Sequence, residues 1–141
     1  MAESRDRYYV AKDKHHQFQA LSGDEGPFEY LKDAFVFAAA LGYRFERRAP
    51  LEGEQRQHVG FWHYLSESRD QPLLSAIAIA DSGGPEVLAD RGAVIEIAEA
   101  YANGGVAILL ELDRYDRDAT LVSVASEVLD LAGTPDEPAR P

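Results

Sequence analysis

The chain has 141 residues, 45% of them apolar and none of them cysteine, which predicts one domain with a substantial core and excludes disulfide or Cys-zinc staples. Fourteen Lys/Arg stand against 25 Asp/Glu, and the formal net charge of −11 opposes nucleic acid and anionic membrane unless a local basic patch overrides the mean. The charge is uneven: residues 1–60 hold nine Lys/Arg and ten Asp/Glu, residues 61–141 five and fifteen, a pattern that fits two faces of a single globular domain over 1–133.

The charged start, Met1-Ala2-Glu3-Ser4-Arg5, leads into no apolar stretch of signal-peptide type. The longest apolar runs, 34–41 and 73–80, fall short of the roughly 20 residues of a membrane span, so the expectation is a cytoplasmic protein with no membrane partner. Residues 7–11, Arg-Tyr-Tyr-Val-Ala, fit a short strand, because aromatic and β-branched side chains suit a pleated surface; residues 12–21 fit a polar helix. A first firm helix is predicted over 27–41. Pro27 suits its first turn, Leu31, Phe35, Ala38 and Leu41 share one face, and Gly42 is placed for a left-handed cap.

Residues 44–60 read as irregular, and in the aromatic run 58–65 a strand and a helical turn both fit. A helix over 72–81 would turn Leu73, Leu74, Ile77 and Ala80 inward and stop at Ser82-Gly83-Gly84-Pro85. The next, over 90–102, would stop at Asn103-Gly104-Gly105, with 106–112 a separate helix or a buried strand. A last helix is expected over 120–132, followed by a disordered tail over 134–141. The sum is a mainly α, compact single domain of four to six helices, with a short β-hairpin built from 8–11 and 58–62.

Chemistry is sparse in the pattern. His58 and His63 lie five apart rather than at the i, i+4 spacing of two ligands on one helical face, and Glu111, Asp113, Asp116 and Asp118 miss the offsets of a calcium loop. No Gly-Lys-Ser/Thr loop and no Gly-x-Ser-x-Gly elbow occurs. The expectation is therefore no enzyme, no metal and no cofactor. Two groups are candidates for recognition. Arg44, Arg47 and Arg48 follow the core helix beside Tyr43 and Phe45, as a phosphate or acidic-partner contact or as ordinary salt-bridge partners. Phe61, Trp62 and Tyr64 form the densest aromatic cluster, as core packing or as an interface hot spot.

Three segments, Phe35-Val36-Phe37-Ala38-Ala39-Ala40-Leu41-Gly42-Tyr43, Ala76-Ile77-Ala78-Ile79-Ala80 and Glu99-Ala100-Tyr101-Ala102-Asn103-Gly104-Gly105, together resemble the small Dnd system-associated protein family, encoded beside bacterial DNA phosphorothioation and defence genes. The resemblance covers roughly residues 28–112 and rests on helix-core and helix-cap positions. It implies an accessory or adaptor role in phosphorothioation-linked modification or restriction of foreign DNA, with protein components of that system as partners, and it implies no reaction and no catalytic residues. Direct nucleic-acid binding is not expected from the net charge. Two other readings are an acidic DNA mimic or immunity-type inhibitor, drawn from the acidic second half, and a small hydrolase or nuclease with an unrecognised site.

Overall fold

The computed structural model describes residues 5–24, 26–52 and 55–115. Within them the order is β1 (Arg7–Ala11), a 3-10 turn (Lys12–Lys14), α1 (His15–Ala20), α2 (Leu31–Arg44), β2 (Arg56–Phe61), a 3-10 turn (Trp62–Tyr64), α3 (Asp70–Ser82), a 3-10 turn (Pro85–Ala89) and α4 (Arg91–Tyr115). The architecture is a mainly α domain with a two-stranded antiparallel ribbon. The helix expected over 120–132, the tail over 134–141, and Asp116 and Asp118 lie outside the described residues.

The strand expected at 7–11 is β1, and its antiparallel partner β2 covers the aromatic run from Arg56 to Phe61. Both forms open for that run occur in succession, a strand and then a 3-10 turn. Residues 44–60 are thus irregular only until Arg56, where cross-strand pairing supplies what local periodicity does not. Tyr8 and Val10 point into the core, opposite Gly60 and Gln57, with a register shift between Tyr8 and Tyr9.

α2 is the core helix, but it begins at Leu31 rather than Pro27. Phe28 is held away from it: its N–H donates to the Leu21 carbonyl at 3.0 Å and it bridges to Ser22, so the chain must run extended before it can coil. Ala34, Phe35, Val36 and every residue of 38–42 are buried. The helix also runs past Gly42. Its end is a Schellman motif with Glu46 in the left-handed region (φ 57°): Arg47 N–H donates to Gly42 O at 2.7 Å and Glu46 N–H to Tyr43 O at 3.2 Å. Gly42 serves a different purpose, since a Cβ there would lie 2.0 Å from the Tyr101 carbonyl.

α3 starts two residues before Pro72. The Ser66 hydroxyl accepts the N–H groups of Arg69 and Asp70, while Asp70 Oδ2 accepts the N–H of Ser66 at 3.0 Å, a reciprocal cap. Leu73, Leu74, Ile77 and Ala78 are buried, whereas Ala80, expected inward, is exposed. Gly83 ends the helix at φ 93°, as its sequence context predicts.

The largest correction concerns Asn103-Gly104-Gly105. It does not stop a helix: α4 passes straight through it for 25 residues, about 36 Å. The glycines lie where other backbone comes close. A Cβ on Gly105 would meet Ala38 O at 1.9 Å, and one on Gly104 would meet Arg47 O at 1.8 Å. With Gly42 they let α2 and α4 cross at a distance no larger side chain permits. Joined in this way, Arg91–Arg114 becomes long and apolar enough to cross a membrane by length and composition, yet 61% of its apolar window is buried against the rest of the domain, as in a core helix.

Candidate functional site

The two sequence candidates lie near opposite ends of α3. Near its C-terminus, the segment 43–48 projects Arg44, Phe45, Arg47 and Arg48 from a firmly held backbone. The Schellman bonds fix one side. On the other, Ala49 N–H donates to Ala100 O at 2.9 Å and Asn103 Nδ2 donates to Ala49 O at 2.8 Å. Gly104 leaves room for the Arg47 carbonyl beneath. Asn103-Gly104 is thus the seat on which the arginine loop rests.

An open cleft of about 570 Å³ runs beside this loop, lined by Tyr43, Arg44, Glu46, Arg48, Asp81 and Tyr101. Tyr101 donates its hydroxyl proton to Asp81 Oδ1 at 2.6 Å, and Arg48 donates to both Asp81 oxygens at 3.1 and 3.3 Å. Desolvation, helped by the hydrogen bond to Asp81 and its charge, pushes the Tyr101 phenol up to about 12. Burial pushes the Asp81 carboxyl up, but the Tyr101 and Arg48 hydrogen bonds outweigh it and the net shift is downward. Arg48 also lies over the Tyr101 ring, and Arg44 over that of Phe45, which is 45% exposed. Of the three arginines, Arg48 is committed to Asp81, and no carboxylate among the described residues pairs with Arg47. The cleft opens at the C-termini of α2 and α3, where carbonyls face outward and favour cations. The arginines balance that field, so the surface suits mixed polar and aromatic contact better than capture of a free anion.

Beyond the other end of α3 lies the ribbon. Trp62 is 9% exposed and belongs to the core, so burial removes it from the recognition candidates. Phe61 and Tyr64 face outward in a connected set of rings. Tyr9 meets His58 edge-on at 5.6 Å, His58 meets Phe61 at 5.2 Å, Phe61 stacks on His63 at 5.6 Å, and His63 contacts Tyr64 at 4.4 Å. Arg5 lies over Tyr9 and Arg7 over Phe61. Sequence reasoning missed Arg7, Tyr9, His58 and His63 here. The available signal was their place on the two segments already suspected of pairing.

Two buried carboxylates hold this end together. Asp70, wholly buried, accepts from Lys32 at 2.9 Å and from Arg69 at 2.9 Å as well as from Ser66 N–H. Glu99 on α4, also buried, accepts from the Tyr9 N–H at 2.7 Å and from Arg5. These are structural clasps between elements. Among the described residues no group of three His, Asp or Glu is placed to hold a metal ion.

The fold and its two outward faces define a small, mainly α domain whose exposed side chains are held on fixed backbone. The chain belongs to the family described as DNA sulphur modification system-associated protein 4, whose model matches residues 7–128. This is the Dnd-associated family that the helix-core segments resemble. No curated protein and no solved structure gives a significant match.

Proposed function

We propose that the protein is a non-enzymatic accessory factor, an adaptor that docks a protein component of a DNA phosphorothioation-linked modification or restriction system through the loop 43–48. Membership of a DNA sulphur modification system-associated family supplies the context. The observation that carries the reading is the loop itself: exposed Arg44, Phe45 and Arg47 on a backbone pinned from both sides. Arginine and aromatic side chains dominate interface energetics, and a preorganised backbone loses little entropy on association.

The test of the non-enzymatic half uses the purified full chain. Incubated with phosphorothioated and unmodified plasmid, with Mg²⁺ or Mn²⁺, it is expected to leave both the plasmid topology and the phosphorothioate content unchanged. Nicking, linearisation or sulphur loss that scales with protein and resists further purification would overturn it.

A further inference from the structure

The ribbon differs in charge from the rest of the molecule. Its two strands and the turn after them, residues 7–11 and 56–64, hold Arg7, Arg56, His58 and His63 and no Asp or Glu, a net of +2 on a chain of −11. Whole-chain charge, the ground for expecting no nucleic acid, therefore describes the body and not this face. No carboxylate among the described residues pairs with Arg7; Arg56 is half-buried, its charge acts on the buried Glu99, and its Nε has no hydrogen-bond partner among the described residues, while Asp6, 3.5 Å from His63, is held by Arg91. Tyr64 is 69% exposed and the His63 side chain 59%, so both rings have open faces.

We propose that the outer face of the β1–β2 ribbon binds single-stranded DNA, stacking unpaired bases on His63 and Tyr64, with Phe61 packed beneath them, and meeting phosphates with Arg7 and Arg56. Aromatic platforms flanked by cations are the general means of holding a single strand, because every base has a π-face and every nucleotide a negative charge. A duplex offers this face only phosphates, since its bases are already stacked, and the −13 carried by the rest of the chain repels it. An acidic polypeptide would match the arginines but leave the rings unused. The single strand is the occupant that uses both.

Fluorescence anisotropy of 5′-fluorescein-dT20 with the full chain tests this. Micromolar binding is expected at 50 mM NaCl, about fivefold weaker at 150 mM if about two phosphates are neutralised. Tyr64→Ala and His63→Ala should each weaken binding at least fivefold, as loss of one stacked base does. Arg7→Gln should flatten the salt slope by about 0.7. A 20-base-pair duplex and poly-glutamate of matched charge should bind at least tenfold more weakly. The proposal is overturned by no binding at 50 mM NaCl, by duplex or poly-glutamate binding as tightly as dT20, or by wild-type affinity in Tyr64→Ala. Tyr64 is mostly exposed, so that variant folds and reports on the surface alone.

Discussion

Phe35 is the residue on which the core turns. It is 1% exposed, and its ring lies 4.6 Å from that of Tyr8 and 6.4 Å from that of Phe18, so it joins α2 to both β1 and α1. Phe35→Ala is expected to lower the unfolding free energy by about 3–5 kcal/mol, read from denaturant titration. The two buried carboxylates have opposite signs. For Asp70, burial pushes the carboxyl up, but hydrogen bonds from Lys32, Ser66 N–H and Arg69 outweigh it and hold the group below its ordinary value. Its contribution is therefore complete above the ordinary carboxylate range and is lost as pH falls through its depressed value. Asp70→Ala leaves Lys32 and Arg69 facing an empty site, and a loss of about 3 kcal/mol is expected at pH 7. For Glu99, burial dominates over Arg5 and Tyr9 N–H, and the carboxyl is raised. Its folded form binds a proton more readily than its unfolded form, so this group's contribution to stability falls as pH rises through the raised value. Glu99→Gln keeps an acceptor for Tyr9 N–H and should melt at or above the wild-type temperature at pH 7, with less gain on mild acidification than wild type shows. A clear drop in Tm at pH 7 would show that the Arg5 pair outweighs desolvation.

At the scale of the element, glycines separate what the sequence discloses from what it conceals. Gly83 was legible: a Gly-Gly-Pro after an apolar helix calls for a left-handed end, and φ 93° there confirms it. Gly105 was not. Beside Asn103 and Gly104 it has the local signature of a terminator, while the reason for it lies in another helix, at the Ala38 carbonyl. Close approach is a tertiary fact with no periodicity. Its trace in the sequence is the pairing of small residues at helical spacing, Ala38 with Gly42 on one helix and Ala102 with Gly105 on the other. The same limit explains β2, whose partner is more than forty residues away in the chain. The two glycines predict different mutants. Gly105→Ala gains about 1 kcal/mol of helix propensity yet must displace α2, and a net loss of about 2–3 kcal/mol is expected in thermal or denaturant unfolding. Gly83→Ala meets no atom within 4 Å and should lose only about 1 kcal/mol, the backbone term. Glu46, a non-glycine residue at φ 57°, supplies the reverse case: Glu46→Gly should raise stability by about 0.5–1 kcal/mol.

Across the whole molecule, the candidate sites were legible as residue types and not as surfaces. Arg44, Arg47 and Arg48 were visible as a run, but Asp81 claims Arg48 from a different helix, and only the fold shows that Asn103 and Gly104 support the loop. Phe61, Trp62 and Tyr64 were visible as a cluster, but the 3-10 turn after β2 sends Trp62 inward and Tyr64 outward. The result is a domain with one outward face near each end of α3: the arginine loop, proposed to dock a protein, and the ribbon, proposed to hold a single strand. Separate faces predict separable defects. The most direct measurement is quantitative mass spectrometry of proteins co-purified with the tagged full chain from its native host, comparing wild type, a Phe45→Ala/Arg47→Glu double variant and Tyr64→Ala. Components of the DNA sulphur modification system are expected to be enriched with wild type and Tyr64→Ala and reduced at least tenfold with the loop variant at equal Tm. Equal enrichment in all three, or none of those components with wild type, would contradict the docking role of the loop.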